Sequence, residues 1–225
     1  MRSNIKSNSV SSREFVYQEL RNQILSFQLE PGTSISEKEI STQFNVSRTP
    51  VREAFLRLAQ EGLLNVYPQK GTSVSLIDLE LQEEARFMRE HLERAVIRLA
   101  CDGMAKEKLQ ALEMNVRMQG FCIEEKNYLK LFELDEEFHR TIFEGCEKER
   151  TWQAIELMNV HLNRSRMLRL VTDYNWQEIV EHHKAILTAI KTNDHENAED
   201  IMRRHLTLAV DDKDKLQKQY PHFYK

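Results

Sequence analysis

Ser47-Arg48-Thr49-Pro50-Val51-Arg52-Glu53-Ala54-Phe55 is the stretch whose reading decides the fold. Ser47 suits a helix N-cap, and Val51, Ala54, Phe55 and Leu58 recur at helical spacing toward a stop near Gly62. Arg48 and Thr49 then fall on the first helical turn and Arg52 one turn later, crowding two cations and a hydroxyl at one helix end. Upstream, Ser36-Glu37-Lys38-Glu39 has the form of a capping box, which predicts a short helix to about Gln43 and a turn at Phe44-Asn45-Val46. Downstream, Leu63–Tyr67 and Thr72–Leu76 read as two short strands joined by Pro68-Gln69-Lys70-Gly71. Cap, helix, turn, cap, Arg-Thr-Pro and hairpin, in that order, spell a winged helix-turn-helix, which places the N-terminal end of its second helix in a DNA major groove.

Arginine makes bidentate hydrogen bonds to guanine O6 and N7, and threonine donates to phosphate or touches a thymine methyl. Ser47, Arg48, Thr49 and Arg52 are therefore the candidate contacts of the recognition helix. Lys38, and Lys70 beside the wing glycine Gly71, suit phosphate or minor-groove contacts that add affinity and salt dependence. The same charges would also suit a plain solvated helix face, and only the ordered run of elements separates the two readings.

Moving outward, residues 1–12 are polar and serine-rich and are expected to be a flexible tail. Val16, Leu20, Ile24 and Phe27 predict a first helix over residues 13–27, ended by Pro31-Gly32, so the DNA-binding domain is set at 13–76. From residue 79 onward the pattern is helical without strand alternation, with stripes such as Met88, Leu92, Ala95 and Leu99. It predicts about six helices, at roughly 79–102, 105–124, 127–145, 150–171, 175–192 and 194–213, forming an antiparallel all-α bundle over 79–213. Residues 214–225 are expected to fray as a C-terminal tail. The fold class is mainly α.

Charge is divided along the chain. Residues 1–76 carry nine Lys/Arg against seven Asp/Glu, a net +2, and the remainder carries 23 against 29, a net −6. The positive excess lies where the helix-turn-helix lies. Three widely spaced cysteines, Cys101, Cys122 and Cys146, form no C-x-x-C pair, so neither a disulfide framework nor a zinc finger is indicated. With no signal-like start and no span-length apolar run, a cytoplasmic protein is expected.

The bundle carries a second pattern. Asp135 and His139, four residues apart, sit inside the apolar face Leu131, Leu134, Phe138 and Ile142. His183 lies within Ile179, Ile186, Leu187 and Ile190, and His205 shares a face with Ala198, Ile201, Met202 and Ala209. One carboxylate and three imidazoles on inward faces suit either hydrogen-bonded core residues or ligands of a divalent transition metal, Zn²⁺, Ni²⁺ or Mn²⁺. Arg89, on the Ala85, Leu92 and Val96 side of its helix, suits either a clamp for a carboxylate effector or an ion pair with a nearby glutamate. H-E-x-x-H does not occur, which leaves a metalloenzyme with a DNA-binding module as a weak alternative.

The chain resembles the GntR family of bacterial transcription regulators, specifically its FadR-type branch with an all-helical FCD effector domain. The resemblance spans about residues 13–212 and rests on Val46-Ser47-Arg48-Thr49-Pro50-Val51-Arg52-Glu53-Ala54, on Gly62-Leu63-Leu64 with Gly71, and on the Asp135, His139, His183 and His205 series. It implies a homodimer on a palindromic operator, a repressor responding to a small organic acid, DNA contacts at Arg48, Thr49, Arg52 and Gly71, and a metal at Asp135, His139, His183 and His205. A regulator that senses the metal itself is the alternative. Lys38 stands where the family usually has arginine, and lysine cannot make the planar bidentate bond.

Overall fold

The computed structural model describes residues 11–67, 71–173, 176–211 and 213–225. Lys70, with Pro68 and Gln69, lies outside the described residues, as do residues 1–10 of the expected tail. The chain divides into two compact units, residues 1–76 and 77–225.

In the first unit α1 (Ser12–Leu25) opens on Ser11, whose hydroxyl caps the Glu14 N–H at 3.3 Å. A two-residue strand β1 (Ser34–Ile35) leads into α2 (Glu37–Gln43), where the capping box is complete: Ser36 Oγ accepts from Glu39 N–H and Glu39 Oε2 accepts from Ser36 N–H. Asn45, at φ +53°, turns the chain into α3 (Arg48–Gln60); asparagine tolerates this left-handed conformation better than most residues. Gly62, at φ +77°, then ends that helix and releases the wing. The wing strands are β2 (Leu64–Tyr67) and β3 (Gly71–Val74), paired antiparallel with Asn65 opposite Ser73. β1 joins the far side of β3, giving the order β1-β3-β2. Sequence reading misses β1, because two residues are too few for any periodicity. Val16, Leu20 and Ile24 of α1 and Val51, Phe55 and Leu58 of α3 are all buried in this unit's core, each worth roughly 1.5–3 kcal/mol of transfer free energy.

The second unit consists of α4 (Leu79–Asp102), α5 (Lys106–Glu124), α6 (Tyr128–Gly145), α7 (Glu149–Met158), α8 (Val160–Asp173), α9 (Trp176–Lys191), α10 (His195–Asp211) and α11 (Lys213–Gln219). Its apolar core gathers Ile97, Leu112, Phe138, Phe143, Trp152, Ile186 and Ile201. Three expectations are corrected. The helix expected over 150–171 is two helices, interrupted at Asn159, whose ψ of 0° ends the regular run.

The fully buried face of α4 is Ala85, Arg89, Glu93, Val96 and Ala100, and of the stripe Met88, Leu92, Ala95 and Leu99 only the first two pack, half-buried, on the core. Ala95 and Leu99 are exposed, and the two charges are tolerated inside because they pair with each other. The tail 214–225 does not fray. After α11 a 3-10 turn (Pro221–Phe223) buries Phe223 and Tyr224, and the chain end runs beside residue 77. Ile77 N–H donates to Phe223 O at 2.8 Å and Lys225 N–H to Ile77 O at 3.0 Å. Lys225 Nζ also meets Asp78 at 2.9 Å, while Asp78 N–H donates to His161 Nδ1 at 3.1 Å. Two aromatic anchors outweigh the charge of this segment, which is why its composition misleads.

Candidate metal centre and nucleic-acid interface

The exposed end of α3 carries Arg48, Thr49 and Arg52, and Lys38 is exposed at the start of α2. The local chemistry singles these cations out. Arg13, Arg21 and Arg57 are held by Glu53, Glu61 and Glu14, whereas Arg48, Arg52 and Lys38 make no ion pair among the described residues. Arg57 also lies 3.5 Å from the Tyr17 ring centroid, and burial together with the Glu61 carboxylate pushes the Tyr17 phenol up to about 12. Arg57 is thus a strut between α1 and α3, while the unpaired arginines present five donors each to solvent. Ser47 occupies the N-cap position but makes no side-chain cap bond, leaving its hydroxyl exposed. Gly71, at φ +105° and exposed, turns the wing where a side chain would be strained.

In the bundle, Asp135 and His139 of α6, His183 of α9 and His205 of α10 are all buried, and one ligand-type atom from each lies within 4.8 Å of the others. The His205 Nε2 is 3.0 Å from His139 Nε2 and 3.3 Å from His183 Nε2. Asp135 Oδ1 lies 3.6 Å from His183 Nε2 and 3.9 Å from His205 Nε2. The Phe138 ring stacks on His183, centroids 4.2 Å apart, and holds its plane.

Around this cluster stand residues that apolar periodicity does not reveal. Glu93 of α4 is buried and accepts from His139 Nδ1 with one oxygen and from Arg89 Nε with the other. Gln119 of α5 accepts from His183 Nδ1 at 2.7 Å. Arg166 of α8 donates to Asp135 Oδ2 and Glu136. The signal in the sequence is the i, i+4 spacing of Arg89 with Glu93 and of Asn115 with Gln119 on faces otherwise apolar.

Burial opposes charge here, and the partners decide each case. Burial alone would raise Glu93, but His139 and Arg89 overcome it and hold the carboxyl at about 2. Burial would likewise raise Asp135, and Arg166 and the three histidines bring it well below the ordinary carboxylate range. His183 has no carboxylate at hydrogen-bond distance, so burial takes it down to about 3 despite Asp135. His205 is held well below its ordinary value by burial and by His183 and His139.

The lowered imidazoles of His183 and His205, facing the ionised Asp135 carboxylate, offer lone pairs to a cation. The residues fit a divalent cation on chemistry and on charge. Arg89 and Arg166 set against Glu93, Asp135 and Glu136 give two positive and three negative charges, a net −1 that a divalent ion converts to +1.

Beside the cluster lies a cavity with Asp135 and His205 in its wall next to Arg86, Arg89, Arg166 and Arg169. Of the two sequence readings for Arg89, the ion pair is the one observed: it holds Glu93 and lies 3.1 Å from Glu136. Its Nη2 has no hydrogen-bond partner among the described residues even so, and Arg89 borders the cavity. His182 is half-buried and meets the His205 ring edge-on, centroids 5.9 Å apart, without joining the four ligand-type residues, and His195 pairs with Asp102 at 2.7 Å. His161 is a buried acceptor for the Asp78 backbone N–H.

Comparison with known proteins gives a consistent assignment. Residues 12–74 match the bacterial regulatory proteins of the gntR family, and residues 84–208 match the FCD domain. The HTH-type transcriptional repressor RspR of Escherichia coli K12 is 34% identical over 191 residues, covering 85% of this chain and 84% of its own. A HTH-type transcriptional regulator in an unstable DNA locus of Streptomyces ambofaciens is 31% identical over 219 residues, covering 97% and 92%. In fold, the chain is similar to E. coli McbR/YncC, with a TM-score of 0.76 at 22% identity, covering 94% of this chain and all of the other. No helix among the described residues is long and apolar enough to cross a membrane.

Proposed function

Because this chain belongs to the GntR family of bacterial regulatory proteins and carries an FCD domain, and is therefore a transcriptional regulator, we propose that it is a ligand-responsive repressor. In this reading it binds a palindromic operator as a cytoplasmic homodimer, and its bundle holds a divalent metal that anchors a small carboxylate effector. The observation that carries the reading is the buried Asp135, His139, His183 and His205 cluster opening onto an arginine-bordered cavity.

Arg48, Thr49 and Arg52 of each protomer read base edges in successive major grooves, about 34–36 Å apart on one DNA face. Ser47, Lys38, Lys70 and the backbone at Gly71 contact phosphate or the minor groove, fixing register more than sequence. Asp135, His139, His183 and His205 hold the metal, which when bound supplies a Lewis-acid anchor for an anion; Zn²⁺ suits three imidazoles and a carboxylate, and Ni²⁺ or Mn²⁺ is also compatible. The surplus positive charge of the loaded cluster favours an anionic effector, with Arg89 Nη2 and Arg169 beside the same cavity. Such an effector controls DNA binding only through unequal affinity for the DNA-competent and incompetent states.

The cavity is what favours an organic effector over sensing of the metal itself. A thermal-shift screen of carboxylic acids on metal-loaded and metal-stripped protein tests the choice, since a compound that prefers the native state raises Tm. Stabilisation by an acid only in the loaded protein supports the reading. Metal-dependent DNA binding that no acid alters supports metal sensing, and no bound metal in protein purified without chelator ends both.

A further inference from the structure

Resting on the metal reading above, we infer that Gln119 and Asn115 are positioning residues that fix the protonation site of His183 so that its Nε2 lone pair faces the metal. The inference comes from following hydrogen-bond direction through a buried chain. The Leu134 carbonyl is an acceptor and nothing else. Asn115 therefore turns its Nδ2 toward that oxygen, at 2.9 Å, which leaves Asn115 Oδ1 facing the other way. Gln119 meets that oxygen with Nε2 at 2.6 Å, so it must present Oε1 to His183. At 2.7 Å from an oxygen that only accepts, His183 Nδ1 carries the proton and Nε2 is left bare.

Each amide has one orientation consistent with its neighbours, and a flip anywhere would set donor against donor or acceptor against acceptor. Asn115, Gln119 and His183 are all buried, so water is not at hand to repair a mismatch. The relay also ties α5 to the backbone of Leu134, the residue next to the ligand Asp135.

His139 reaches the same state by another route, with Nδ1 facing the Glu93 carboxylate. The third imidazole differs, because His205 Nδ1 is buried and has no hydrogen-bond partner among the described residues. Two of the three histidines are thus committed to point lone pairs inward before any ion arrives, one by a charged acceptor and one by a neutral amide relay. Orientation of metal-ligating histidines through their second nitrogen commonly changes affinity by about 10- to 100-fold.

The test compares the full-length parent with Gln119→Leu, Gln119→Glu and Asn115→Leu. Zn²⁺ affinity is measured by chelator competition at neutral pH, and imidazole nitrogen resonances of ¹⁵N-histidine-labelled, metal-stripped protein report the tautomers. We expect Gln119→Leu to weaken Zn²⁺ by about 10- to 100-fold. Gln119→Glu keeps the acceptor for His183 Nδ1 and, with its other oxygen protonated, the donor to Asn115 Oδ1, so it should stay within a few-fold of the parent. Asn115→Leu should fall between them, because Gln119 is then free to flip.

In the metal-stripped parent His183 should be protonated on Nδ1. A simple packing role would not separate the Glu and Leu variants, nor fix a tautomer. If Gln119→Leu does not fold, the tautomer of the parent still decides. His183 protonated on Nε2, or a folded Gln119→Leu that binds Zn²⁺ as tightly as the parent, overturns the inference alone. A parent that binds no divalent ion overturns the metal reading with it.

Discussion

Glu93→Gln changes no shape and removes one charge, and the structure says how much should follow. Glu93 is buried, with one oxygen on Arg89 and the other on His139. Among the described residues, removing the charge leaves Arg89 with Glu136 alone, which Arg166 also claims, and Arg89 Nη2 already lacks a partner. Breaking a buried ion pair from one side costs about 3–5 kcal/mol, and the surviving Glu136 contact places this case near ~3 kcal/mol. The substitution also takes the five-group cluster from a net −1 to 0, so a divalent ion meets less attraction and His139 loses its charged acceptor. Zn²⁺ affinity should drop by about 10- to 100-fold. Urea unfolding of the metal-stripped protein reads the first effect and chelator competition the second. A variant within 1 kcal/mol of the parent that binds Zn²⁺ as tightly would refute the reasoning that Glu93 supports the site.

Two further perturbations probe the parts around it. Phe223→Ala removes the anchor of the C-terminal segment and should cost about 3 kcal/mol in urea unfolding, whereas a frayed tail would cost almost nothing. His161 is pulled down to about 4 by burial and by Arg164, so it stays neutral in the fold while the unfolded chain takes up a proton near 6.5. The unfolded state therefore binds more protons between those values, and stability should fall as pH drops from about 6.5 toward 4. Residual solvent contact limits the slope to under ~1 kcal/mol per pH unit. His161→Gln, which can still accept from Asp78 N–H, should flatten that dependence relative to the parent in urea midpoints measured across the range.

The DNA-binding unit was legible almost element by element, because its signals are local. The Ser36 capping box and Gly62 each act within a few residues, and the structure places them where their chemistry requires. The metal candidates were legible for a different reason. An aspartate and three histidines inside strongly apolar stripes violate the pattern around them, and the violation marks the site.

Their supports were hidden by the same logic. Apolar periodicity along α4 runs through Met88, Leu92, Ala95 and Leu99, of which only Met88 and Leu92 pack on the core, while the fold buries Arg89 and Glu93. Their i, i+4 pairing makes that burial tolerable, whereas the contacts that tie them to the site, Glu93 with His139 and Arg89 with Glu136, cross between helices and cannot be read from spacing along one helix. The docking of Phe223 and Tyr224 depends likewise on a partner distant in the chain, Ile77.

The central claim is that α3 reads duplex DNA with Arg48 and Arg52. The most direct measurement is selection of a random-sequence duplex library by the parent and by an Arg48→Ala, Arg52→Ala double variant, followed by binding isotherms on the enriched sequence. The account predicts that the parent enriches a two-fold symmetric site, and that the double variant loses about 1–3 kcal/mol per arginine on it together with base preference in each half-site. Enrichment of the same sequence by both proteins, at equal affinity, would contradict it.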